Sequence, residues 1–537
     1  MKSNILFLLI GVGIVTSFVH AQSWKNYPYT PSGSQISFPY DEGRHPSTSV
    51  EWWYISGHLT GATSGKKYSF MLTYFYYPKS GFDGFRILNI GDDNAGQLYN
   101  DTKTLNYDII ATDSLHIEAD VFLGGNETWV NKTDASGNML PFEYEITANA
   151  PSHGLDISVI STKKPLILDG DGFFEQGASS STYYYSLTGN DVNGSLTLNG
   201  TTENVTGTAW IDRQYGTFNP YEDEDYEWFH LQLSNGMDIN LWNIFTVDNT
   251  IPDNKNYRLI SVYKDENTQY TNKDFQLERL GFSCLNSGNC YARKWKLTSA
   301  VNNLDLTITT LFPEAELSLP FDFYEGATTI TGTVNGKAVT GKGFAELLQK
   351  YTNPDITFTY PAGSEYNISN PISWNLNNPN DGCPVTYELQ YSTDNKDTFT
   401  TIADNISENT FLWNNPPLND GDAVWFRITG KSVDGTLSGT IESTTSATVT
   451  SSLVDFFSEK NLKVYPIPAD EKLIIKFINI SDGYDYVIFD QLGRKLTEEN
   501  NNTNPLNEVP LYNLSSGIYF LRLSNHSAKK TIKIIKK

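Results

Sequence analysis

Short segments that alternate apolar and polar residues, separated by turn residues, run from Gln22 to about Lys350. The segments are rich in aromatic and β-branched residues, and one long stretch places two of them around an Asn-Gly turn. Because alternation with a period of two is the mark of a strand, and helical periodicity is rare here, we predict an all-β fold. About 330 residues exceed one small barrel, so two barrels or sandwiches in tandem are expected. Typical segments are "KYSFMLTYFYY", "SLTLNGTTENVTGTAW", "MDINLWNIFTV" and "LDLTITTLF".

The net charge of the protein argues against two classes of binding partner. The 537 residues include 38 basic and 62 acidic side chains, which gives a formal charge of −24. An acidic surface is repelled by nucleic acid and by anionic membranes, so neither is expected as a partner. The composition is typical of a soluble, acidic, secreted protein.

The first residues, "MKSNILFLLIGVGIVTSFVHAQ", predict a secretory signal peptide over residues 1–21, cut after Ala21. Lys2 gives a positive start, Ile5 to Phe18 is apolar, and Val19 to Ala21 offers a cleavage site. A retained membrane anchor is the alternative. No later stretch is long and apolar enough to span a bilayer, so no transmembrane anchor is expected after cleavage.

The three cysteines predict one disulfide. Cys284 and Cys290 flank a turn in "CLNSGNC", and an exported protein can oxidise such a pair. Cys383 is left over and is expected to be buried. None of the spacings resembles a zinc site, and we expect no metal.

The pattern of predicted strands changes after residue 350. Residues 353–452 have short strands with a tryptophan early and "VWFRI" late, as in a fibronectin-type or immunoglobulin-like sandwich. We expect this domain to act as a spacer or in adhesion.

Residues 454–537 alternate strongly between apolar and polar side chains and predict a small C-terminal β-sandwich. The segments "YPIPADEKLIIKF", "IFDQLGRKL", "LSSGIYFLRL" and "KKTIKIIKK" resemble the C-terminal sorting domain of the Bacteroidetes type IX secretion system. The resemblance implies contact with that machinery and a secreted or cell-surface location.

The stretch "EWWYISGHL" is the first candidate site. On a strand, Glu51, Trp53 and Ile55 share one face, and Trp52, Tyr54 and Ser56 share the other, which reaches His58 if the strand persists. If the first face lines a barrel, Glu51 lies among apolar groups with a raised pKa, as suits a proton donor. If the second does, Trp52, Tyr54 and His58 form an aromatic pocket. The structural alternative is core packing with Glu51 in a salt bridge.

The second candidate is "TAWIDRQYG", in which Asp212, Arg213 and Gln214 stand between Trp210 and Tyr215. Asp212 is the better acid–base group, because Arg213 can hold it ionised or orient it. An Asp–Arg pair closing the end of a barrel is the alternative. Trp228 and Trp242 add aromatic surface further along the chain, and Tyr185 belongs to a tyrosine-rich strand, Tyr183 to Tyr185.

Four segments resemble, in order and spacing, the AttH/carotenoid-hydratase (CrtC-like) group of tandem lipocalin-like proteins: "VEWWYISGHLTG", "KKPLILDGDG…STYYYSLTG", "VTGTAWIDRQYG" and "WFHLQLSNGMDINLW". The resemblance runs from about Trp24 to Leu348. It implies two lipocalin-like barrels, over residues 22–218 and 219–350, around an apolar cavity. Family members add water to a carbon–carbon double bond or fold a polyene for cyclisation.

The resemblance implies a cofactor-independent hydratase (a lyase) or isomerase that acts on a hydrophobic, alkene-bearing terpenoid, phenolic or lipid. By motif position Asp212 takes the acid–base role, with Glu51 or His58 as its partner, and Arg213 and Gln214 orient Asp212 or the substrate. A non-catalytic carrier of the same ligand is the alternative. The residues expected to bind the ligand are Trp52, Trp53, Tyr54, Tyr185, Trp210, Arg213, Gln214, Tyr215 and Trp228.

Overall fold

The computed structural model describes residues 23–218, 224–319, 321–363, 365–450, 456–457, 459, 461–478, 480, 483–525 and 528–537. The signal peptide predicted over residues 1–21 lies outside them. The all-β prediction is confirmed, since strands dominate and the single helix among the described residues is the 3-10 turn Tyr40–Glu42. The chain divides into two compact units, one of residues 1–355, 377–386 and 430–439, and one of residues 356–376, 387–429 and 440–537.

The first part of the first unit is a closed antiparallel barrel of ten strands. Strands β1 to β8 follow in order, and the long strand β11 pairs with both β8 and β12, which returns to β1 and closes the ring. The residues of β11 before the bulge at Leu187/Asn190 pair with β9 and β10, and those after it pair with β8. The strands are β1 (Val50–Gly61), β2 (Lys67–Lys79), β3 (Phe82–Asp92), β4 (Gln97–Ile110), β5 (His116–Val121), β6 (Gly125–Thr133), β7 (Met139–Asn149), β8 (His153–Ser161), β9 (Leu166–Ile167), β10 (Phe173–Gln176), β11 (Ser180–Leu198) and β12 (Thr201–Gly216).

The second part of this unit is a half-barrel. Its sheet runs β16-β15-β14-β13-β22-β21-β19-β18-β17, with β20 beside β21, and its two end strands are not paired with each other. Cys284 and Cys290 form a disulfide at the β17–β18 hairpin, and Cys383 is a free, half-buried thiol. The strands are β13 (Tyr226–Leu233), β14 (Asp238–Ile244), β15 (Arg258–Asp265), β16 (Thr268–Asn272), β17 (Gln276–Cys284), β18 (Cys290–Ser299), β19 (Leu304–Thr310), β20 (Glu316–Ser318), β21 (Asp322–Val334) and β22 (Lys337–Leu347).

Two separate cores follow from the alternation of side chains along β1. Trp53 and Ile55 point into the closed barrel and join its interior core. Tyr54, on the opposite face, packs with Trp228 and Phe344 of the half-barrel. The outer face of the closed barrel is therefore covered by the half-barrel, and side chains between the two sheets are shielded from solvent.

The second unit consists of two pairs of sheets. Strands β23-β25-β28 and β24-β31-β29-β26-β27, with β30 beside β29, form the predicted sandwich, and strands β32-β33-β36 and β35-β34-β37-β38 form the C-terminal one. The predicted domains 22–218, 219–350, 353–452 and 454–537 stay predictions. The strands are β23 (Ile356–Tyr360), β24 (Glu365–Asn367), β25 (Ile372–Leu376), β26 (Val385–Ser392), β27 (Thr400–Ile406), β28 (Thr410–Phe411), β29 (Ala423–Ser432), β30 (Ser438–Glu442), β31 (Ala447–Thr450), β32 (Leu462–Tyr465), β33 (Lys472–Phe477), β34 (Tyr484–Phe489), β35 (Lys495–Asn502), β36 (Leu506–Pro510), β37 (Gly517–Ser524) and β38 (Lys529–Lys536).

A buried ion pair lies inside the closed barrel. Arg86 on β3 and Glu127 on β6 have no exposed surface, and Arg86 Nη2 donates to Glu127 Oε1 at 2.9 Å. The Tyr74 hydroxyl donates to Glu127 Oε2 at 2.6 Å, and Arg86 Nη1 donates to Asp101 Oδ2 at 2.8 Å. Since every charge has a partner, the pair can be retained in an apolar interior.

Glu127→Ala is expected to destabilise the closed barrel by about 3–5 kcal/mol, because it leaves the Arg86 charge buried without its main partner. Amide hydrogen exchange of peptides from β6, with peptides from β33 as an internal reference, measures this loss locally. Glu143→Ala, which removes a partly exposed partner of Lys132 at 4.0 Å, is the matched control and should cost less than about 1 kcal/mol. Equal effects of the two substitutions would contradict the assignment.

Candidate functional site

The pairing of β1 with β12 distributes the predicted site residues over two environments. Trp53 lies opposite Arg213, and Tyr54 lies opposite Asp212. Because neighbours on a strand point to opposite faces, Trp53 and Arg213 enter the closed barrel, whereas Tyr54 and Asp212 face the half-barrel. Adjacent residues in sequence therefore serve different sites.

Inside the barrel, Arg213 holds Glu51. Arg213 Nη2 donates to Glu51 Oε2 at 2.5 Å, and the guanidinium lies 4.1 Å from the centre of the Trp53 ring. The backbone N–H of His45 also donates to Glu51. Burial raises the pKa of Glu51, but Arg213 and these hydrogen bonds outweigh it and lower the pKa below its ordinary value.

Two expectations from the sequence are therefore wrong in their chemistry. Glu51 does line a barrel, but it is an ionised partner of Arg213, so the expected raised pKa is wrong and the alternative of core packing with Glu51 in a salt bridge is confirmed. Arg213 does not orient Asp212, because the alternation of the strand turns its side chain to the other face. The alternative of an Asp212–Arg213 pair fails for the same reason.

Asp212 is the buried carboxyl on the outward face. Trp210 Nε1 donates to Asp212 Oδ1 at 2.8 Å, Ser186 Oγ donates to the same oxygen at 2.5 Å, and the Tyr184 hydroxyl donates to Oδ2 at 2.8 Å. Asn240 on β14 supports this arrangement by donating to Tyr184 at 2.8 Å.

The electrostatics of Asp212 suit a group that exchanges protons near neutrality. Burial raises the pKa of Asp212 to about 7, while the three donors moderate the rise and Glu346 adds to it. Among the described residues Asp212 forms no ion pair. A neutral carboxylic acid is thus present below about pH 7, next to a pocket.

The pocket has aromatic walls. It holds about 620 Å³ of empty space including its open mouth, within which the cavity for water-sized occupants is about 50 Å³, enough for a few water molecules. Gln214 and Glu346 add polar groups beside Asp212. The lining residues are Trp52, Tyr54, Thr73, Phe75, Phe85, Tyr184, Asp212, Gln214, Phe218, Tyr226, Trp228, Trp242, Leu319, Phe321, Phe323 and Glu346.

Several predicted site residues lie elsewhere. Trp53, Tyr185 and Tyr215 belong to the interior core of the closed barrel, since each is on the inward face of its strand. His58 shares the face of Tyr54 but is not part of the pocket lining. It packs on Phe344, and burial, aided by Lys342, lowers the pKa of His58 to about 3, so the imidazole is neutral.

Trp210 acts on the site indirectly, through its contacts with Asp212 and His230. It bonds to Asp212 and stacks on His230 with a ring distance of 4.7 Å and an interplanar angle of 16°. His230 in turn accepts or donates a hydrogen bond with Ser56 Oγ at 2.7 Å. Trp210 therefore holds Asp212 in place rather than lining the pocket.

Sequence reasoning missed two carboxyl groups, Glu346 on β22, which lines the pocket, and Glu325 on β21 beside it. They lie directly opposite each other in the sheet. A signal for them existed, because the residues two positions away on either side, Phe323 and Ala327 for Glu325, are apolar and share its face. A charged residue on an otherwise apolar strand face indicates a special site.

No group of three or more His, Cys, Asp or Glu side chains among the described residues is arranged to hold a metal ion. Nor does any described helix have the length and apolar character needed to cross a membrane.

Comparison with known proteins yields one curated relative and similar solved structures. The chain is 24% identical to kievitone hydratase of Fusarium solani subsp. phaseoli over 380 residues, which cover 64% of this chain and 97% of the relative. An AttH crystal structure from Nitrosomonas europaea has 22% identity and a TM-score of 0.50, covering 59% of this chain and 99% of that one. The structure of kievitone hydratase from Nectria haematococca has 19% identity and a TM-score of 0.48, covering 60% and 98%.

The C-terminal residues 463–537 match the secretion system C-terminal sorting domain. This match confirms the predicted type IX secretion to the cell surface or the extracellular space. The larger match is to the family described as AttH-like, over residues 29–351, which is more than half of the chain. The chain is thus a secreted member of the AttH-like family.

Proposed function

We propose that this protein adds water to a carbon–carbon double bond of a hydrophobic small molecule, such as a terpenoid, a phenolic or a lipid, or removes it in reverse. The observation that carries the proposal is Asp212, a buried carboxyl with a pKa of about 7 beside a pocket with aromatic walls. Similarity to a hydratase supports the same reaction class.

Hydration of an unactivated alkene begins with the transfer of a proton to carbon, which requires an acid and a shielded cationic centre. The neutral carboxyl of Asp212 supplies the proton at pH 7 or below. The faces of Trp228 and Trp242 stabilise the positive charge that develops on the neighbouring carbon. Water then completes an alcohol, whereas loss of a different proton would give an isomerised alkene.

The pocket also favours a substrate that carries oxygen. The indole N–H of Trp242 is buried and has no acceptor among the described residues. A hydroxyl or carbonyl oxygen of the bound molecule would satisfy it. The small cavity implies that a larger ligand is admitted by rotation of aromatic side chains at the mouth.

Asp212→Asn is expected to abolish turnover and to retain binding, because asparagine keeps the shape of the side chain but cannot deliver the proton. The full chain and the variant are incubated with an extract of hydrophobic metabolites. Mass spectrometry follows bound molecules and products shifted by the mass of one water. We expect a rate loss of about 100-fold or more.

The matched control is Asp156→Asn, which changes an exposed aspartate on β8. It should leave both product and ligand unchanged. If the wild type and the Asp212 variant retain the same ligand without converting it, the protein is a carrier, and the catalytic role of Asp212 is wrong.

The rate of hydration is expected to fall as the pH rises through about 7. The donor must be protonated, and burial sets the pKa of Asp212 near that value. Above it the rate should drop about tenfold per pH unit, as the protonated fraction does. A pH–rate profile that stays level from pH 6 to 9, with intact protein throughout, would rule out Asp212 as the proton donor.

A further inference from the structure

A pair of glutamates lies beside the same pocket. Glu325 and Glu346 are directly opposite each other on the antiparallel strands β21 and β22. Residues so paired point to the same face, with Cβ atoms about 4.5–5.5 Å apart, so their carboxyl groups meet. Glu325 is buried, and Glu346 is half-buried and lines the pocket.

The neighbours of the pair are acids and phenols. The Tyr54 hydroxyl donates to Glu325 Oε1 at 2.9 Å, and the Tyr226 hydroxyl donates to Glu346 Oε1. Asp212 and the Tyr324 phenol also lie near Glu325, and neither glutamate forms an ion pair with a described Lys, Arg or His.

Two negative charges are costly in this position. Burial raises the pKa of Glu325, the charge of Glu346 raises it further, and burial also raises the pKa of Glu346. Two carboxyl groups that share a site without a cation hold a proton between them. One carboxyl donates this proton to the other.

We propose that Glu346 is the base that accepts a proton from the attacking water, and that Glu325 is the positioning residue that shares a proton with it. This inference rests on the proposed function, in which Asp212 supplies the other proton. Glu346 is the catalytic member because it borders the pocket, whereas Glu325 reaches it only through Glu346.

The reaction balances with these groups. The π electrons of the alkene take the proton of Asp212 and form a C–H bond, which leaves a cationic carbon and an Asp212 carboxylate. A lone pair of the water oxygen forms the C–O bond, one O–H bond breaks, and its proton goes to Glu346. The product is the alcohol. Asp212 then regains a proton from solvent water, and the pair releases one to it.

The first test asks whether the pair holds a shared proton. Infrared difference spectra at pH 7 compare the full chain with Glu346→Gln and with Glu325→Gln, in which glutamine keeps the size of the side chain. We expect each variant to lose the intensity of one protonated, buried carboxyl from the wild-type spectrum, while the contribution of Asp212 remains. Exposed Glu278→Gln on β17 is the matched control and should lose none. Full wild-type intensity in both pocket variants would overturn the shared proton.

The second test measures hydration of 4-isopropenylphenol, a small alkene with an aromatic ring and a hydroxyl, from pH 4 to 9. Glu346→Gln is expected to lose about 100-fold in rate at every pH. Glu325→Gln should stay active, with the acidic limb of the profile shifted to higher pH, because the hydrogen bond from Glu325 that lowers the pKa of Glu346 is then weakened. A merely structural role of Glu325 would lower the rate without moving the limb.

The outcomes separate the two proposals. If Glu346→Gln retains the wild-type rate while Asp212→Asn loses it, the role of Glu346 is wrong and the proposed function stands. If Asp212→Asn converts the probe as fast as the wild type, or the wild type binds the probe and forms no product, the proposed function falls, and the role of Glu346 falls with it.

Discussion

The alternation of side chains across the β1–β12 pair is the constraint on which the site depends. It sends Arg213 into the closed barrel, where Glu51 neutralises it, and sends Asp212 toward the half-barrel, where no described cation reaches it. Had the two residues shared a face, Asp212 would be an ionised partner with a lowered pKa. Its raised pKa is thus a consequence of strand geometry and of the half-barrel that covers this face.

The half-barrel does more than shield the outward face of β1 and β12 from solvent. Its strands bring Trp228, Trp242 and Glu346 to the same pocket, and Asn240 fixes the tyrosine that binds Asp212. Neither sheet alone has both the proposed acid, Asp212, and the proposed base, Glu346. The proposed reaction, which requires both, therefore depends on packing between the two sheets within one compact unit.

Much of this could be predicted from the sequence. Alternation gave the all-β fold, and the "WIDRQYG" motif identified Asp212. Alternation along "EWWYISGHL" correctly places Trp52 and Tyr54 on the same face of the strand. No local pattern, however, shows which of the two faces points into the closed barrel. Arg213, Trp53 and Tyr215 do not line the pocket with Asp212, because each strand divides the residues of its motif between two faces. Glu325 and Glu346 were missed because their proximity to Asp212 depends on packing between strands more than 100 residues apart in the chain.

The buried carboxyl groups differ in whether they have an ion-pair partner and in whether they cluster beside the pocket, and these differences distinguish structural groups from candidate functional ones. Inside the barrels, three buried glutamates have arginine partners: Glu51 with Arg213, Glu127 with Arg86, and Glu227 with Arg279. A fourth, Glu42, is held by the hydroxyls of Tyr27 and Tyr144. At the pocket, Asp212, Glu325 and Glu346 have hydroxyl and indole donors but no ion pair among the described residues. Leaving three acids in a shielded site without a cation opposes folding at neutral pH, since each must retain a proton or be ionised at a cost. Three such acids close together beside one pocket are the pattern expected of groups kept for proton transfer.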